Sequence, residues 1–173
     1  MSSVSPPTDR REAHRESRLG LDDAACAAAV AAVQPILADH LMLYLAYKTH
    51  HWTVTGPHFR DLHLLFDGHA DDVLAAVDPL AERIVALGGI PLIAPSQLVV
   101  QAHIGEPSDT PGSPRAALEA LAAATDELVV RLRGAIWAVD AAGDPGTSDL
   151  LTDVLRKREN EAWILSALLS PGR

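Results

Sequence analysis

The chain has 173 residues, a mass of 18.4 kDa and a formal net charge of −9, with 48% hydrophobic and 21% charged residues. These values predict a single soluble domain with a core of its own, and the acidic balance opposes nucleic-acid binding over the whole surface. The single cysteine, Cys26, excludes an intrachain disulfide.

The first segment, residues 1–20, is rich in Ser, Pro and Arg and is predicted to be a flexible polar tail. It contains no apolar stretch of the kind that a secretory signal requires. We therefore expect a cytoplasmic protein.

Helix A is predicted to begin at Leu21 or Asp22 and to end near Thr53. The abundance of Ala and Leu favours a helix, and Pro35 predicts a bend within it. The apolar run of residues 24–47 is interrupted by four residues that a membrane span would avoid: Gln34, Pro35, Asp39 and His40. Helix A is therefore expected to be a buried helix, and no membrane partner is expected.

Helix B follows the break at Gly56 and Pro57. Its apolar residues recur at the three-and-four spacing of an amphipathic helix, and Gly88, Gly89 and Pro91 mark its end. These apolar residues are Phe59, Leu62, Phe66, Ala70, Val73, Val77, Leu80, Ile84 and Leu87.

Helix B also carries imidazole and carboxylate groups, which are typical metal ligands. At about 100° per residue, four such groups fall within an arc of roughly 100° beside the apolar stripe. They are His63, Asp67, Asp78 and Glu82. One face of the helix is therefore a candidate metal site.

The spacing of these groups prevents them from meeting in one subunit. At a rise of about 1.5 Å per residue, Asp67 and Asp78 are roughly 16 Å apart along the helix, whereas ligands lie about 2 Å from their ion. Two antiparallel copies of the helix about a two-fold axis would bring one end against the other. We therefore predict two equivalent sites in a homodimer. Either pair alone is more typical of a solvated helix edge than of a metal site, and only the combination indicates a metal site.

The remaining elements complete a helical domain. A long connection with five prolines at positions 91, 95, 107, 111 and 114 is predicted to contain a short helix within residues 96–104. Helix C is predicted to begin at about Ser113 and to end at residues 143–146, and helix D to begin near Thr147 or Ser148, both good N-cap residues.

Several spaced motifs resemble the signature of the Dps proteins, the ferritin-like mini-ferritins. The string HW is followed by V, a Gly, F-x-x-LH-x-x-FD, a D eleven residues later, and AER-x-x-x-LGG-x-P. The segments KTHHW, GDPGTSDLLTDVL and EAWILSALL extend the resemblance to residues 21–170. Two departures are Thr53, where many members have Asn, and Pro79 inside the second helix, where a proline removes a backbone hydrogen bond and is expected to bend the axis.

The resemblance implies an all-α fold: a ferritin-like four-helix bundle over residues 21–170, with a short extra helix in the B to C crossover, assembling into a hollow dodecamer. It implies a ferroxidase that oxidises Fe(II) to Fe(III), preferably with hydrogen peroxide, stores ferric mineral and protects DNA. The implied iron ligands are His51, His63 and Asp67 of one subunit with Asp78 and Glu82 of its two-fold partner.

Further roles follow from the same resemblance. Trp52 is either an interface aromatic or an electron donor to oxidising by-products. Asp144, Asp149 and Asp153 are candidates for acidic pores, although aspartates at a helix start are also favoured by the helix dipole. His50 is expected to point away from the ion that His51 binds, because adjacent helical residues project about 100° apart. Five other histidines lack partners at ligand spacing and are predicted not to be ligands: His14, His40, His58, His69 and His103.

Three alternatives remain open. The first is a DNA-binding, nucleoid-associated shell with little or no ferroxidase activity, but the tail carries four Arg against three acidic residues, so we expect weak or absent DNA binding. The second is a di-iron centre inside one subunit, which typically uses a Glu-x-x-His pair that this chain lacks. The third is a shell whose interface centre is inactive.

Overall fold

A computed structural model describes residues 19–105 and 112–171 of the chain. About 80% of these described residues are helical, and no strand occurs among them. The helices are α1 (Asp23–Thr53), α2 (Phe59–Leu74), α3 (Val77–Ala86), α4 (Pro95–Gln101), α5 (Pro114–Ala141) and α6 (Pro145–Leu169). Residues 1–18, which include the arginines of the predicted tail, lie outside the described ranges.

Helix α1 confirms predicted helix A. Asp22 caps it by accepting a hydrogen bond from the Ala25 N–H at 2.8 Å, and the helix continues through Pro35. By length and composition α1 could cross a membrane, but 61% of its most apolar window is buried inside the protein. It is therefore the central helix of the bundle.

Predicted helix B is two helices, α2 and α3, separated at Ala75 and Ala76. The cause is Pro79, which has no N–H to donate to the Ala75 carbonyl and whose ring would clash with it. Beyond the break Pro79 lies in the first turn of α3, where a missing N–H costs little. The prediction of one continuous helix was wrong at this point.

The crossover from α3 to α5 is tied to α1 by two polar side chains. Gln34 accepts a hydrogen bond from the Leu92 N–H at 3.2 Å and donates one to the Leu92 carbonyl at 3.4 Å. Asp39 Oδ1 accepts from the backbone N–H groups of His103 at 2.6 Å and Ile104 at 3.0 Å. These contacts hold α4, which confirms the predicted short helix, beside the bundle.

Helices α5 and α6 form the other half of the bundle. Helix α5 begins where predicted, with Ser113 as its N-cap residue, but α6 begins earlier than predicted, at Pro145, with Asp144 as its N-cap residue. The prediction of Thr147 or Ser148 as the cap was wrong because proline is itself well suited to the first helical position. Large apolar side chains with less than 2% exposure fill the centre, each contributing about 1.5–3 kcal/mol on burial: Leu37, Leu43, Phe66, Leu80, Ile84, Leu121, Leu128 and Leu132.

Candidate metal centre

His51, near the end of α1, lies directly against His63, in the first half of α2. Their rings stack with centroids 3.7 Å apart and an interplanar angle of 20°. His51 Nδ1 lies 2.8 Å from the His63 carbonyl oxygen, and His63 Nδ1 lies 2.8 Å from the His51 carbonyl oxygen. Each imidazole is thus oriented by the other residue's backbone.

This reciprocal arrangement selects the tautomer of both rings. Because a carbonyl oxygen only accepts hydrogen bonds, each Nδ1 must carry the proton and donate it. The lone pair of each neutral ring then lies on Nε2, the state in which imidazole binds metals, and the second hydrogen bond fixes the ring as it does in known metal sites. The fold therefore presents two oriented imidazole ligands side by side.

Asp67 adds a carboxylate to these imidazoles. Its Oδ1 lies 3.7 Å from His51 Nε2 and accepts a hydrogen bond from Lys48 Nζ at 2.6 Å. This hydrogen bond is the main reason that the pKa of Asp67 is lowered and that of Lys48 is raised. We call His51, His63 and Asp67 the first half-site. A cation entering it would compete with the Lys48 ammonium for Asp67.

Asp78 and Glu82, the second half-site, lie one turn apart on α3 and are exposed to solvent. Within residues 19–105 and 112–171 of one subunit, no three His, Cys, Asp or Glu side chains are close enough to hold a metal ion. The two half-sites therefore do not combine within one chain. The assignment of these five residues to one inter-subunit centre stays a prediction.

Arg83 fixes the orientation of the helix that carries the second half-site. Its Nη2 donates to Asp144 Oδ1 at 2.6 Å and its Nε donates to Thr147 Oγ1 at 2.7 Å. Burial alone would raise the pKa of Asp144, but the hydrogen bonds from Thr147 and the charge of Arg83 outweigh it and lower the pKa. Helix α3 is thereby attached to the start of α6.

This contact corrects one predicted pore residue. Asp144 is 1% exposed and is used by Arg83 and by the α6 cap, so it presents no free carboxylate to a pore. Asp149 is exposed, and Asp153 pairs with Arg156 at 3.0 Å and Lys157 at 2.9 Å. Their pore role stays a prediction.

Trp52 follows His51 directly and is 70% exposed, with Lys48 Nζ 5.7 Å from its ring centroid. Its exposure in the single chain is compatible with both roles considered for it. The His50 ring packs near Phe66, with centroids 6.3 Å apart, and burial lowers the pKa of His50.

Sequence patterns failed to single out a second polar group, in the interior of the bundle. Arg158 and Glu161, on α6, are 0% and 3% exposed. Helical spacing could have found them. Arg158 follows the buried Val154 by four residues and precedes the buried Leu165 by seven, so it lies on the inward face of α6.

The chain matches known proteins over most of its length. Residues 30–173 match the family model of the ferritin-like domain. DNA protection during starvation protein 1 of Deinococcus radiodurans is 33% identical over 141 residues, covering 82% of this chain and 68% of that protein. The chain belongs to the Dps family of ferritin-like proteins.

Solved Dps structures have the same fold. DpsC of Streptomyces coelicolor superimposes with a TM-score of 0.89 at 29% identity, covering 92% of this chain and 93% of that one. Dps of Vibrio cholerae, described as a member of a broad superfamily of ferritin-like diiron-carboxylate proteins, gives a TM-score of 0.84 at 30% identity over 89% of this chain and 97% of that one. The predicted Dps membership and ferritin-like all-α fold are confirmed.

Proposed function

We propose that this Dps protein is a ferroxidase that oxidises Fe(II), preferably with hydrogen peroxide, at sites between two-fold-related subunits. It stores the ferric product as mineral inside a hollow dodecamer in the cytoplasm and so protects DNA from oxidative damage. Iron is both substrate and cargo. The observation that carries the proposal is the reciprocal hydrogen bonding of His51 and His63, which leaves two Nε2 lone pairs free beside the Asp67 carboxylate.

The ligand types favour iron. The first half-site offers two imidazoles and one carboxylate, and Asp78 and Glu82 of the partner subunit would add carboxylates from an exposed helix face. Such a set without thiolate suits Fe(II) and leaves coordination positions for an oxidant. The only cysteine, Cys26, is buried in the core.

The reaction balances when two Fe(II) ions react together. Each ion loses one electron, and hydrogen peroxide takes both electrons and two protons to give two water molecules. Pairing the ions in this way avoids the one-electron reduction of peroxide that releases hydroxyl radical. Ferric ions then move to an acidic interior, where carboxylates attract cations and seed an oxide.

Trp52 is the residue closest in sequence to the first half-site that could supply a further electron. Its indole lies next to Lys48, whose ammonium pairs with Asp67. If a radical forms, oxidation of Trp52 would confine the damage to the protein. The alternative role, an aromatic contact across the two-fold interface, accounts equally well for its 70% exposure.

DNA association is the second candidate function, because the Deinococcus relative is named for DNA protection. The net charge of the tail, residues 1–20, is only +1 from its Arg, Asp and Glu residues, and the chain carries −9 overall, so we expect weak binding that salt abolishes. A gel shift of full-length and tail-deleted protein over a salt series tests whether the protein binds DNA through its tail. Retardation that survives deletion of the tail would rule out a tail mechanism.

The ferroxidase proposal is tested by an anaerobic Fe(II) titration followed by a stoichiometric pulse of hydrogen peroxide, with ferric absorbance recorded. We expect rapid oxidation in the native protein and its loss in His51→Ala and in Glu82→Ala. His58→Ala is the matched control, because His58 is exposed and its side chain forms no cap hydrogen bond at the start of α2. Equal traces for all four proteins would mean that the centre is inactive. Equally fast consumption of dioxygen would overturn the peroxide preference.

A further inference from the structure

A group of polar side chains occupies the interior of the bundle, away from both half-sites. We call it the core polar cluster. Its members come from all four long segments of the bundle and each is at most 6% exposed. They are His40 and Tyr47 on α1, His69 on α2, Thr125 on α5, and Arg158 and Glu161 on α6.

Arg158 and Glu161 form an ion pair at the centre of this cluster, with Arg158 Nε 3.3 Å from Glu161 Oε2. Hydrogen bonding is incomplete around them. Among residues 19–105 and 112–171, Arg158 Nη1 and both Glu161 carboxyl oxygens have no hydrogen-bonding partner, and neither does His40 Nε2. Buried charges are normally fully paired. Burying these incompletely paired groups therefore lowers the stability of the folded protein.

The orientation of the histidines matters for what the cluster can bind. His40 Nδ1 lies 2.7 Å from the Ile36 carbonyl oxygen and must donate its proton there, which leaves a lone pair on the buried Nε2. His69 Nδ1 lies 3.3 Å from the Tyr47 hydroxyl. The His51 and His63 rings of the first half-site have the same tautomer, with the same result.

Arg158 acts electrostatically on this whole set. Burial lowers the pKa of His40 to about 3 and also lowers the pKa of His69. The positive charge of Arg158 lowers both pKa values further. Burial raises the pKa of Glu161, and there the Arg158 charge opposes the change and favours the carboxylate. The guanidinium is thus the central positive charge among imidazole and carboxyl groups.

Imidazole and carboxyl groups from facing helices are the materials from which four-helix bundles build metal centres in their cores. A polar cleft of about 450 Å³ between α2 and α6 leads to this cluster, and His69, Asp72 and Glu161 are among its lining residues. Donor atoms and an entrance are therefore both present. Arg158 carries its positive charge among these donors, and with it in place no three His, Cys, Asp or Glu side chains of the described ranges lie close enough together to hold a metal ion.

We propose that Arg158 is a built-in cation that keeps metal ions out of the bundle core and so confines Fe(II) to the inter-subunit sites. This inference rests on the proposed function, since it explains why iron is directed there. A divalent ion beside a buried guanidinium would meet strong repulsion in a low-dielectric interior. Arginine, unlike lysine or histidine, does not give up its proton to admit a second cation.

The test counts Co(II), a spectroscopic probe for Fe(II), bound per subunit under anaerobic conditions in four intact proteins. These are native protein, Arg158→Leu, His51→Ala, and the double variant. We expect Arg158→Leu to bind about one additional Co(II) per subunit, with the visible absorption of a His and carboxylate environment, and the double variant to keep that additional ion. His51→Ala alone should lose the interface Co(II).

One control locates the effect. Arg158→Leu combined with Glu161→Gln should lose the gained ion because its carboxylate is gone. An Arg158→Leu protein that assembles and binds no additional Co(II) would overturn the proposal. If His51→Ala binds as much Co(II) as native protein, the proposed function fails instead, so the two failures are distinguishable.

Because Arg158 is buried, replacing it can prevent the protein from folding. If Arg158→Leu does not assemble, Arg158→Gln is the second variant, because it is neutral and still forms hydrogen bonds. If neither assembles alone, both are refolded with Co(II). Recovery that requires Co(II) supports the proposal, and failure to recover overturns it.

Discussion

The first half-site and the core polar cluster combine similar groups, but we propose that only the first half-site takes a metal ion. Each joins Nδ1-protonated imidazole, a carboxyl group and a neighbouring cation, but the exposure of the ion pair differs. The side chains of Lys48 and Asp67 are 17% and 42% exposed, whereas those of Arg158 and Glu161 are 1% and 3% exposed. A solvated ammonium can be replaced by a metal ion, while a buried guanidinium cannot leave. Ligand type alone therefore does not make a metal site; the mobility of the resident cation decides.

The largest expected difference between the two regions is in stability. Glu161→Leu leaves Arg158 buried without its carboxyl partner, and we expect the free energy of unfolding to fall by about 3–5 kcal/mol. Asp67→Asn leaves only the partly exposed Lys48, so the free energy of unfolding should change far less than in Glu161→Leu. Urea unfolding at one fixed protein concentration measures both. Equal losses would mean that the two ion pairs are energetically alike and would break the comparison.

A pH effect of intermediate size is expected from His40. Its pKa is lowered from 6.5 to about 3 in the folded protein, so the unfolded chain binds a proton over that interval that the folded protein does not. Above pH 6.5 His40 is neutral in both states, and the protein has its full stability. As the pH falls from 6.5 toward 3, protonation of His40 in the unfolded chain lowers the free energy of unfolding. At about pH 5 the loss amounts to about 2 kcal/mol.

Unfolding of native protein and of His40→Gln at about pH 7 and about pH 5 measures this contribution. The native protein should lose about 2 kcal/mol more than the variant on acidification. His58→Gln is the control for an exposed imidazole and should behave like native protein. Parallel losses in native protein and His40→Gln would show that His40 is not held neutral by the core.

The smallest expected effect is at Lys48. Lys48→Met removes the ammonium that pairs with Asp67, so Co(II) should bind the first half-site more tightly, by about fivefold at most, as an exposed ion pair allows. Lys157→Met removes a lysine with a similar ion pair, to Asp153 on α6, and should leave the affinity unchanged. Unchanged or weaker binding in Lys48→Met would mean that Lys48 does not compete with the metal.

The sequence predicted those parts of the structure that depend on local chemistry and periodicity. Asp22 and Ser113 have side chains that cap a helix, so the starts of α1 and α5 followed from residue type. The apolar spacing predicted α2 and α3 as one continuous helix, with a bend at Pro79. The position of the break, at Ala75 and Ala76, depends on the carbonyl four residues before the proline.

Other features depend on contacts between distant residues, which periodicity does not contain. Arg83 and Asp144 are 61 residues apart, and their hydrogen bond turned a predicted pore carboxylate into a helix cap. Lys48 was not expected at Asp67, and the mutual hydrogen bonds of His51 and His63 need the end of α1 to lie against α2. The pairing of the two half-sites across subunits stays a prediction, made from the distances along the helix.

The central claim, that each centre takes ligands from two subunits, is tested most directly by mixing two inactive variants. His51→Ala and Glu82→Ala, carrying different tags, are co-expressed, and assemblies with both tags are purified. In a mixed two-fold pair one site carries both lesions and the other carries none, so random pairing predicts recovery of about a quarter of native Fe(II) oxidation by peroxide. Mixed assemblies as inactive as their parents would contradict a shared centre and place each complete site within one chain.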